Sequence, residues 1–362
     1  MAARQFILAA DHRPHVRSQI TYVNAYRREH FTDLNVLTDR ALRAKYRLPR
    51  AEIHRLLRVV SPHIRRPTRR NNALSPEVQL LAALRFYASG SFQEMVGDGT
   101  ALSKASVSRC VAAVTPILVR HARQHIRMPT TVAEVREVHR GFYRMAGILR
   151  VLGVVDGTLI PLLNPELVDP CWVCWKHFTA LSVQVVVDHN GLITDIVARW
   201  PGSTHDAFMW DNSAVGEKAA RGDFGDSFFL GDSGYPLRTY LITPVDNPAS
   251  PAEQAFNDSH KTTRTHIERV FGRWKARFRS IHRSAGGLRL SPLKSCQVIV
   301  VTAMLHNIAV RAGLPDVDDD DNDDDDDNPA APAPGSPAAP CQRRAALHQA
   351  GVRARQEIID LF

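Results

Sequence analysis

The amino-terminal part of the chain carries a helical pattern of hydrophobic positions. Apolar residues recur three or four positions apart in residues 34–42 and again in residues 53–60, the spacing that places them on one face of a helix. Pro49 and Pro62 bracket the second run, and we expect them to mark its ends. The pattern predicts an all-helical region over residues 1–74.

Residues 75–148 are predicted to form a second helical region that contains a helix–turn–helix. Ser75-Pro76-Glu77 supplies the hydroxyl cap, the first-turn proline and the acid that favour a helix start, and Gly90 would end that helix. A second helix would begin after Ser103 and enter a DNA major groove with its first turns. The candidate DNA-binding residues are Lys104, Ser106, Ser108 and Arg109. The alternative is a helical bundle that makes no DNA contact.

The pattern changes to short runs rich in Val and Ile in the middle of the chain. Residues 180–200 predict a hairpin, because two such runs flank His189-Asn190-Gly191 and Asn-Gly is a strong turn signal. Helical stretches return in residues 266–279 and 291–312. The economical arrangement is an α/β domain over residues 149–313, a mixed sheet with flanking helices.

The last part of the chain has little capacity to form a core. Residues 316–328 read DVDDDDNDDDDDN, and the twelve residues that follow are dominated by Pro and Ala. Such composition predicts an acidic and Pro-rich disordered linker over residues 314–340. Helical spacing returns in residues 341–362, which we expect to form a short docking helix.

The charge of the chain is uneven. The net charge is +9, and the acidic run contributes ten aspartates, so the rest of the chain carries +19. A surplus of this size is what a phosphate-binding surface requires, and it predicts DNA as a partner. The alternative is a set of solvated arginine faces.

Hydrophobic and cysteine content narrow the class of protein. No apolar run reaches the ~20 residues of a membrane span, so we expect no membrane association. The amino-terminal residues lack a secretion signal pattern, and five scattered cysteines suit a reducing compartment. The pair Cys171 and Cys174 admits a zinc or redox site, but two buried thiols are the simpler reading because no second ligand pair stands at zinc spacing.

Three carboxylates stand where a metal site could form. Asp156 in VVDGT and Asp232 in LGDSGYP each follow an apolar run, and we expect both at strand ends that point to one edge of the sheet. Glu268 lies in a helical segment that could cross that edge, and three or four acids suffice to hold two hard divalent ions. Taken singly, each has a structural alternative: a turn cap, an Asx turn, or a surface residue paired with Arg264 or Arg269.

Eight segments carry a resemblance to a known family. They are LSPEVQLLAALRFYASGSFQEMVGD, SKASVSRCV, GVVDGT, RWPGSTHDA, LGDSGYPLRTYLITP, PAEQAFNDSH, TRTHIERVFGRWKARF and LHNIA. Together they resemble the Harbinger family of DDE transposases and the host nuclease derived from them, over most of residues 34–311. The resemblance implies an RNase H-like catalytic fold, with Asp156, Asp232 and Glu268 as the catalytic and metal-binding carboxylates.

The resemblance also implies a wider site. Asp206 in GSTHDA matches a further family acid, which would be a fourth metal ligand or would cap the helix that follows. His205 beside it is a further candidate. The chain departs from the family pattern at Ile148-Leu149, at Leu159 and at Trp175-Lys176. The last change replaces an Arg-Lys pair and removes a phosphate contact.

The expected function is that of a nuclease that uses divalent metal ions, Mg²⁺ or Mn²⁺, to hydrolyse DNA phosphodiesters. Metal-activated water would attack in line, with Lys275, Arg277 and Arg279 near the DNA backbone, unless this trio is a solvated helical face. We expect no autonomous transposition, because strand joining needs transposon ends that the sequence does not specify.

Two alternatives keep the scaffold without the chemistry. The chain would then be a catalytically silent DNA-binding factor or a protein-interaction factor. The resemblance implies a Myb-like DNA-binding partner that supplies nuclear import, and the basic runs RRPTRR and CQRR are short. We therefore expect the nucleus, and also the cytoplasm, as the location. The acidic run would contact a basic partner, occupy the protein's own DNA groove, or act as an inert solubilising tether.

Overall fold

The structure is a computed structural model that describes residues 33–66, 73–90, 102–163, 169–316 and 342–362. It divides into two compact units, residues 1–120 and 121–362. The predicted class is confirmed: a mixed sheet with flanking helices follows a helical amino-terminal region. Most of the predicted acidic and Pro-rich linker lies outside the described residues.

The first unit begins with helices α1 (Asp33–Val36), α2 (Asp39–Tyr46) and α3 (Arg50–Ile64). Their buried apolar residues are those of the predicted helical pattern, among them Leu42, Ile53 and Val60. Pro62 was expected to end α3, but it lies inside the last turn, which closes with a bond from Arg65 N to Ser61 O of 3.0 Å. The proline lacks the N–H that would bond to the carbonyl four residues earlier, and the helix ends two residues after it. Residues 67–72, which follow the end of this helix, lie outside the described chain.

The two helices of the predicted helix–turn–helix are present as α4 (Pro76–Ser89) and α5 (Lys104–Ala122). Ser75 Oγ accepts from Val78 N at 3.2 Å, and Gly90 ends α4 with a positive φ of 61°. Ser103 Oγ accepts from Ser106 N at 3.2 Å at the start of α5. The turn between them, residues 91–101, lies outside the described residues.

The described part of the second unit contains one five-stranded sheet in the order β3-β2-β1-β4-β5. The strands are β1 (Val151–Pro161), β2 (Ala180–Val187), β3 (Ile193–Pro201), β4 (Phe228–Leu230) and β5 (Leu241–Ile242). Strands β1, β2 and β3 pair antiparallel, whereas β1, β4 and β5 pair parallel. The predicted hairpin joins β2 to β3, where Asp188 Oδ1 accepts from the backbone of Asn190 at 2.9 Å and of Leu192 at 2.8 Å.

Helices pack on this sheet, and successive residues of its central strands β1 and β2 are buried. The helices are α6 (Val132–Ala146), α7 (Asp206–Asp211), α8 (Ala214–Arg221), α9 (Pro251–Arg277) and α10 (Pro292–Arg311). Trp210 of α7 and Val215 of α8 pack with Val155 and Phe229 of the sheet. Helices α6 and α9 also contact β1, and α10 packs on β3. The boundary of the units after residue 120 assigns α6 to the sheet unit, whereas the sequence grouped it with the helix–turn–helix.

Two carboxyl-terminal helices belong to the same unit. Helix α10 is long and apolar enough to cross a membrane, but 67% of its apolar window is buried inside the protein, as expected of a core helix. Helix α11 (Gln342–Ile359) packs on β5 and α9. Arg355 Nη1 donates to Pro244 O at 2.6 Å, and the ring of Phe362 lies 6.2 Å from that of Phe256. The predicted docking helix thus docks on the sheet unit itself.

Candidate active site

The register of the two central parallel strands brings Asp156 and Asp232 together. Val154 of β1 is the last residue paired with β4, opposite Leu230. Each aspartate lies two residues beyond this pair, and an offset of two keeps side chains on the same face of a sheet. Asp232 follows its strand as predicted. Asp156 does not end a strand, because β1 continues to Pro161 through its antiparallel pairing with β2.

Helix α9 adds Glu268 and an arginine to this edge. The helix starts at a capping box in which Ser250 Oγ accepts from Glu253 N at 3.2 Å and Glu253 Oε2 accepts from Ser250 N at 3.0 Å. Arg264 precedes Glu268 by one turn, so both side chains lie on the same helix face. The long helix therefore presents an acid and a base to the two strand aspartates.

The guanidinium of Arg264 lies among all three predicted catalytic carboxylates. Its Nε is 3.9 Å from Asp156 Oδ2 and 3.7 Å from Glu268 Oε1, and its Nη2 is 3.7 Å from Asp232 Oδ2. The pairing of Glu268 with Arg264, considered above as an alternative to a site, is thus part of the site.

The strand aspartates are more buried than the helix glutamate. Asp156 and Asp232 are each 5% exposed, whereas half of the Glu268 side chain is exposed. Burial raises the pKa of Asp156 well above its usual range, Arg264 opposes that shift, and the charges of Asp232 and Asp206 add to it. A cluster of buried acids of this kind favours a positive ligand.

Asp206 joins the cluster from the first residue of α7. An ideal Cβ built on Gly157 would lie 2.5 Å from Asp206 Oδ1, and one on Gly234 would lie 3.4 Å from Asp206 Oδ2. The glycines of DGT and DSGY therefore leave the room that Asp206 occupies. Burial, and then the charge of Asp232, raise the pKa of Asp206 to about 7. His205 precedes α7 as its exposed cap residue, and its side chain makes no capping bond.

Tyr235 is a site residue that the sequence reasoning missed. Its side chain is buried, and its hydroxyl has no hydrogen-bond partner among the described residues. Burial raises the pKa of Tyr235 well above its usual range, and the charges of Asp206, Asp156 and Asp232 raise it further. Its position three residues after Asp232 in DSGYP was the available signal.

The donor set suits a hard divalent cation, because every candidate ligand is a carboxylate. Among the described residues, no three His, Cys, Asp or Glu side chains are spaced to hold a single ion. Arg264 accounts for this spacing, since the carboxylates surround a guanidinium instead of a small ion. The chemistry of the donors fits Mg²⁺ or Mn²⁺, and the guanidinium of Arg264 lies among these donors.

The two predicted groups of DNA-binding residues differ in exposure. At the start of α5, Lys104, Ser108 and Arg109 are exposed and Ser106 is partly so. Arg109 Nη2 donates to Ser106 Oγ at 3.3 Å, so these two side chains lie on the same side of the helix. The first turns of α5 therefore carry polar side chains that solvent can reach.

The second group, Lys275, Arg277 and Arg279, is not the solvent-facing surface that was expected. Lys275 is 5% exposed and Arg277 is 2% exposed. Arg277 Nη2 donates to Pro315 O at 3.0 Å. The prediction of a contact with the DNA backbone is wrong for Lys275 and Arg277, because both lie among the buried residues at the end of α9. Arg279 remains partly exposed and donates to Ser284 Oγ at 3.1 Å.

The cysteine pair forms no disulfide. Cys174 is buried and Cys171 is half-buried, and both are free thiols. Trp175 lies between this pair and Lys176 at an exposed turn, with the Lys176 ammonium 5.0 Å from its ring centre. The change from the family's Arg-Lys pair therefore keeps one cation and adds an exposed aromatic surface.

An aspartate within β1, an aspartate just after β4 and a glutamate from a crossing helix, on a mixed sheet, are the arrangement of a DDE endonuclease with an RNase H-like domain. The family model for the DDE superfamily endonuclease matches residues 155–307, a range that contains all four acids.

Comparison with known proteins gives the particular family. The chain is 40% identical to human "Putative nuclease HARBI1" over 281 residues, which are 78% of this chain and 80% of that protein. It is 34% identical to the Xenopus laevis protein of the same name over 331 residues, 90% of this chain and 91% of that protein. It is 27% identical to Arabidopsis thaliana "Protein ALP1-like" over 268 residues, 68% of this chain and 64% of that protein. No solved structure matches the chain. The chain belongs to the Harbinger transposase-derived nuclease family, as its motifs predicted.

Proposed function

We propose that this chain is a divalent-metal-dependent nuclease that hydrolyses DNA phosphodiesters. The observation that supports the proposal is the convergence of Asp156, Asp232 and Glu268 on one guanidinium at the edge of the sheet. Isolated acids have ordinary structural roles, but three that share one cation form a site. The nuclease names of its relatives support the same reaction class.

Asp156, Asp232 and Glu268 would hold the metal, with Asp206 beside them. A bound divalent ion supplies an activated water and stabilises the leaving oxygen of the phosphodiester. The protein's part is to present ionised carboxylates. Because burial raises the pKa of Asp206 to about 7, that carboxyl must release its proton on metal binding, and metal affinity will increase with pH.

The exposed start of α5 is the proposed DNA contact. Lys104 and Arg109 can neutralise phosphates, while Ser106 and Ser108 can reach base edges or the backbone from the first turns of a recognition helix. Their exposure supports this assignment. The charge surplus of the chain outside the acidic run supports it too.

Cleavage of duplex DNA by the full-length protein tests the proposal. The wild type, Asp232→Asn and Asp223→Asn are compared with Mg²⁺, with Mn²⁺ and with a chelator. Asp232→Asn keeps the shape of the side chain and removes its charge, so we expect cleavage to fall to the chelator background. Asp223 is exposed and pairs with Arg221, so its variant should cleave as the wild type does. Equal cleavage by the wild type and Asp232→Asn would refute the assignment.

A catalytically silent DNA-binding or protein-interaction factor is the second candidate function. The observation that favours it is that Arg264 partly neutralises the carboxylates without a metal. Thermal unfolding separates the two, because an ion that binds only the folded state must raise the melting temperature. If Mn²⁺ neither raises that temperature nor supports cleavage, the silent factor is correct.

We also propose that the chain reaches the nucleus with a Myb-like DNA-binding partner, is present in the cytoplasm as well, and does not transpose autonomously. The family resemblance and the shortness of its basic runs support the partner. Fluorescence imaging of the protein expressed alone, and then with the partner, tests it. Complete nuclear localisation of the protein expressed alone would contradict the need for a partner.

A further inference from the structure

Arg264 lies on the carboxylate oxygens that a metal ion would need. We propose that Arg264 is an exchangeable counter-ion: it partly compensates the charge of Asp156, Asp232 and Glu268 while no metal is bound, and its side chain leaves them when a divalent cation binds. The inference rests on the proposed function, because it assumes that the ion binds these carboxylates. It makes Arg264 a positioning residue that sets the metal affinity of the site.

The contacts of Arg264 with these acids are ionic and long. The three N···O distances are 3.7–3.9 Å, whereas a charge-assisted hydrogen bond from a guanidinium is about 2.7–2.9 Å long. The guanidinium is therefore shared among three acids. A divalent ion that binds the same acids competes with these long ionic contacts.

An ion and the guanidinium cannot both keep these contacts. A Mg²⁺ ion requires oxygen ligands at about 2.0–2.1 Å. An ion held by Asp156 and Asp232 would compete with the guanidinium nitrogens that contact the same two carboxylates. Two positive groups bound to the same carboxylates repel each other strongly where water is largely excluded. Metal binding therefore requires the side chain of Arg264 to move.

The surroundings allow the side chain to move while α9 stays in place. Thr263 and Ile267, which flank Arg264 on the helix, are buried in the core at 1% and 0% exposure. The Arg264 side chain is itself 22% exposed, and Glu268 beside it is 50% exposed. Since the open side of the cluster faces solvent at Glu268, rotation of one flexible side chain is enough to vacate the carboxylates.

Charge explains why an arginine is needed before metal binds. Asp156 and Asp232 are almost fully buried, and Asp206 stands within the same cluster. Uncompensated buried charges strongly oppose folding. Removing the guanidinium should therefore have two opposite effects: it should weaken the metal-free fold and strengthen the binding of a metal. A purely structural arginine would lower both stability and metal affinity.

The experiment is a calorimetric titration of full-length protein with Mn²⁺, paired with thermal unfolding in chelator and in Mn²⁺. Arg264→Gln removes the charge, Arg264→Lys keeps a charge, and Arg269→Gln changes an exposed arginine one helix position past Glu268. We expect Arg264→Gln to melt below the wild type in chelator and to bind Mn²⁺ about tenfold more tightly, equivalent to about 1.4 kcal/mol. The melting temperature and the Mn²⁺ affinity of Arg264→Lys should lie between those of the wild type and Arg264→Gln. Both quantities should be unchanged in Arg269→Gln.

The outcomes separate this inference from the proposed function. Mn²⁺ binding by Arg264→Gln that equals or falls below that of the wild type overturns the exchange and leaves the nuclease proposal standing. Mn²⁺ binding by Arg264→Gln without detectable binding by the wild type supports the exchange. An absence of binding in every variant overturns the metal dependence and the inference with it.

A measurement on the wild type covers the case in which Arg264→Gln does not fold. The side-chain Nε–H signal of Arg264 in a ¹H–¹⁵N spectrum is assigned by its loss in Arg264→Lys. Addition of Mg²⁺ should shift this signal, because the guanidinium changes partners. A signal that stays in place while Mg²⁺ saturates the site contradicts the exchange.

Discussion

Two segments of helix α9 carry similar charged residues and do different things. Arg264 and Glu268, in the middle of the helix, meet the strand aspartates at a partly exposed edge. Lys275 and Arg277, at its end, are buried, and Arg277 binds the carbonyl of Pro315. The difference teaches that a basic stretch on a helix does not define a DNA surface. The residues that pack around a charged side chain decide whether it can exchange its partners, as proposed for Arg264, or is buried in the fold, as Arg277 is.

The largest expected effect is the pH dependence of the free energy of unfolding that Asp206, a member of the acid cluster around Arg264, produces. Burial raises the pKa of Asp206 to about 7, against about 3.9 in an unfolded chain. The folded state therefore binds more protons than the unfolded state between these values, so the free energy of unfolding falls as pH rises from about 4 to 7. The loss is on the order of 4 kcal/mol. Denaturant unfolding of metal-free wild type and Asp206→Asn across this range measures it. Parallel pH curves for the two proteins would contradict the shift.

The next effect concerns the buried end of the helix. Arg277→Met removes the donor to Pro315 O and the contact of 3.8 Å with Asp316. We expect the free energy of unfolding to fall by about 2 kcal/mol, the usual contribution of a hydrogen bond from a charged donor. The DNA affinity of the folded fraction should not change. If Arg277→Met is as stable as the wild type but binds DNA more weakly, Arg277 contacts DNA after all, and the structural role inferred from its burial is wrong.

DNA affinity should depend on α5 and only weakly on the segment after α9. Lys104→Ala and Arg109→Ala should each weaken binding of duplex DNA by about 1 kcal/mol, and each should reduce the slope of log affinity against log salt by about 0.9. Arg279→Ala serves as the comparison, because Arg279 lies beside the buried residues and donates to Ser284. Fluorescence anisotropy at several salt concentrations measures all three. A larger loss for Arg279→Ala would reverse the order of the two surfaces.

The smallest effect is expected at the first residue of the acidic run. Asp316 is 61% exposed and lies 4.0 Å from Arg273 and 3.8 Å from Arg277. Exposed ion pairs contribute little, so Asp316→Asn should lower the free energy of unfolding by about 0.5 kcal/mol or less. Thermal melts at low and high salt measure the loss, which should shrink as salt screens the pair. A loss comparable with that of Arg277→Met would show that the charge of Asp316 supports the helix end, and not the carbonyl of Pro315.

Local signals in the sequence predicted many of the elements correctly. Ser75 and Gly90 bound one helix, and Asn190-Gly191 closes the hairpin, because caps and turns depend on the hydrogen bonds of adjacent residues. The family resemblance located the four acids, and the structure brings them into one cluster. The positions within that cluster were harder to predict. The sequence predicts Asp156 at a strand end, whereas β1 continues beyond it to Pro161. The length of β1 depends on its pairing with β2, which the segment around Asp156 does not encode.

The sequence by itself determined the family, the α/β class, the helix and turn boundaries near strong caps, and the acids that were candidates for a site. Only the tertiary structure decided that Arg264 stands among those acids, that Tyr235 lies behind them, and that Lys275 and Arg277 are buried. The reason is physical. Helix periodicity and capping arise between residues a few positions apart, whereas burial and charge compensation arise between segments that only the folded sheet and its helices bring into contact.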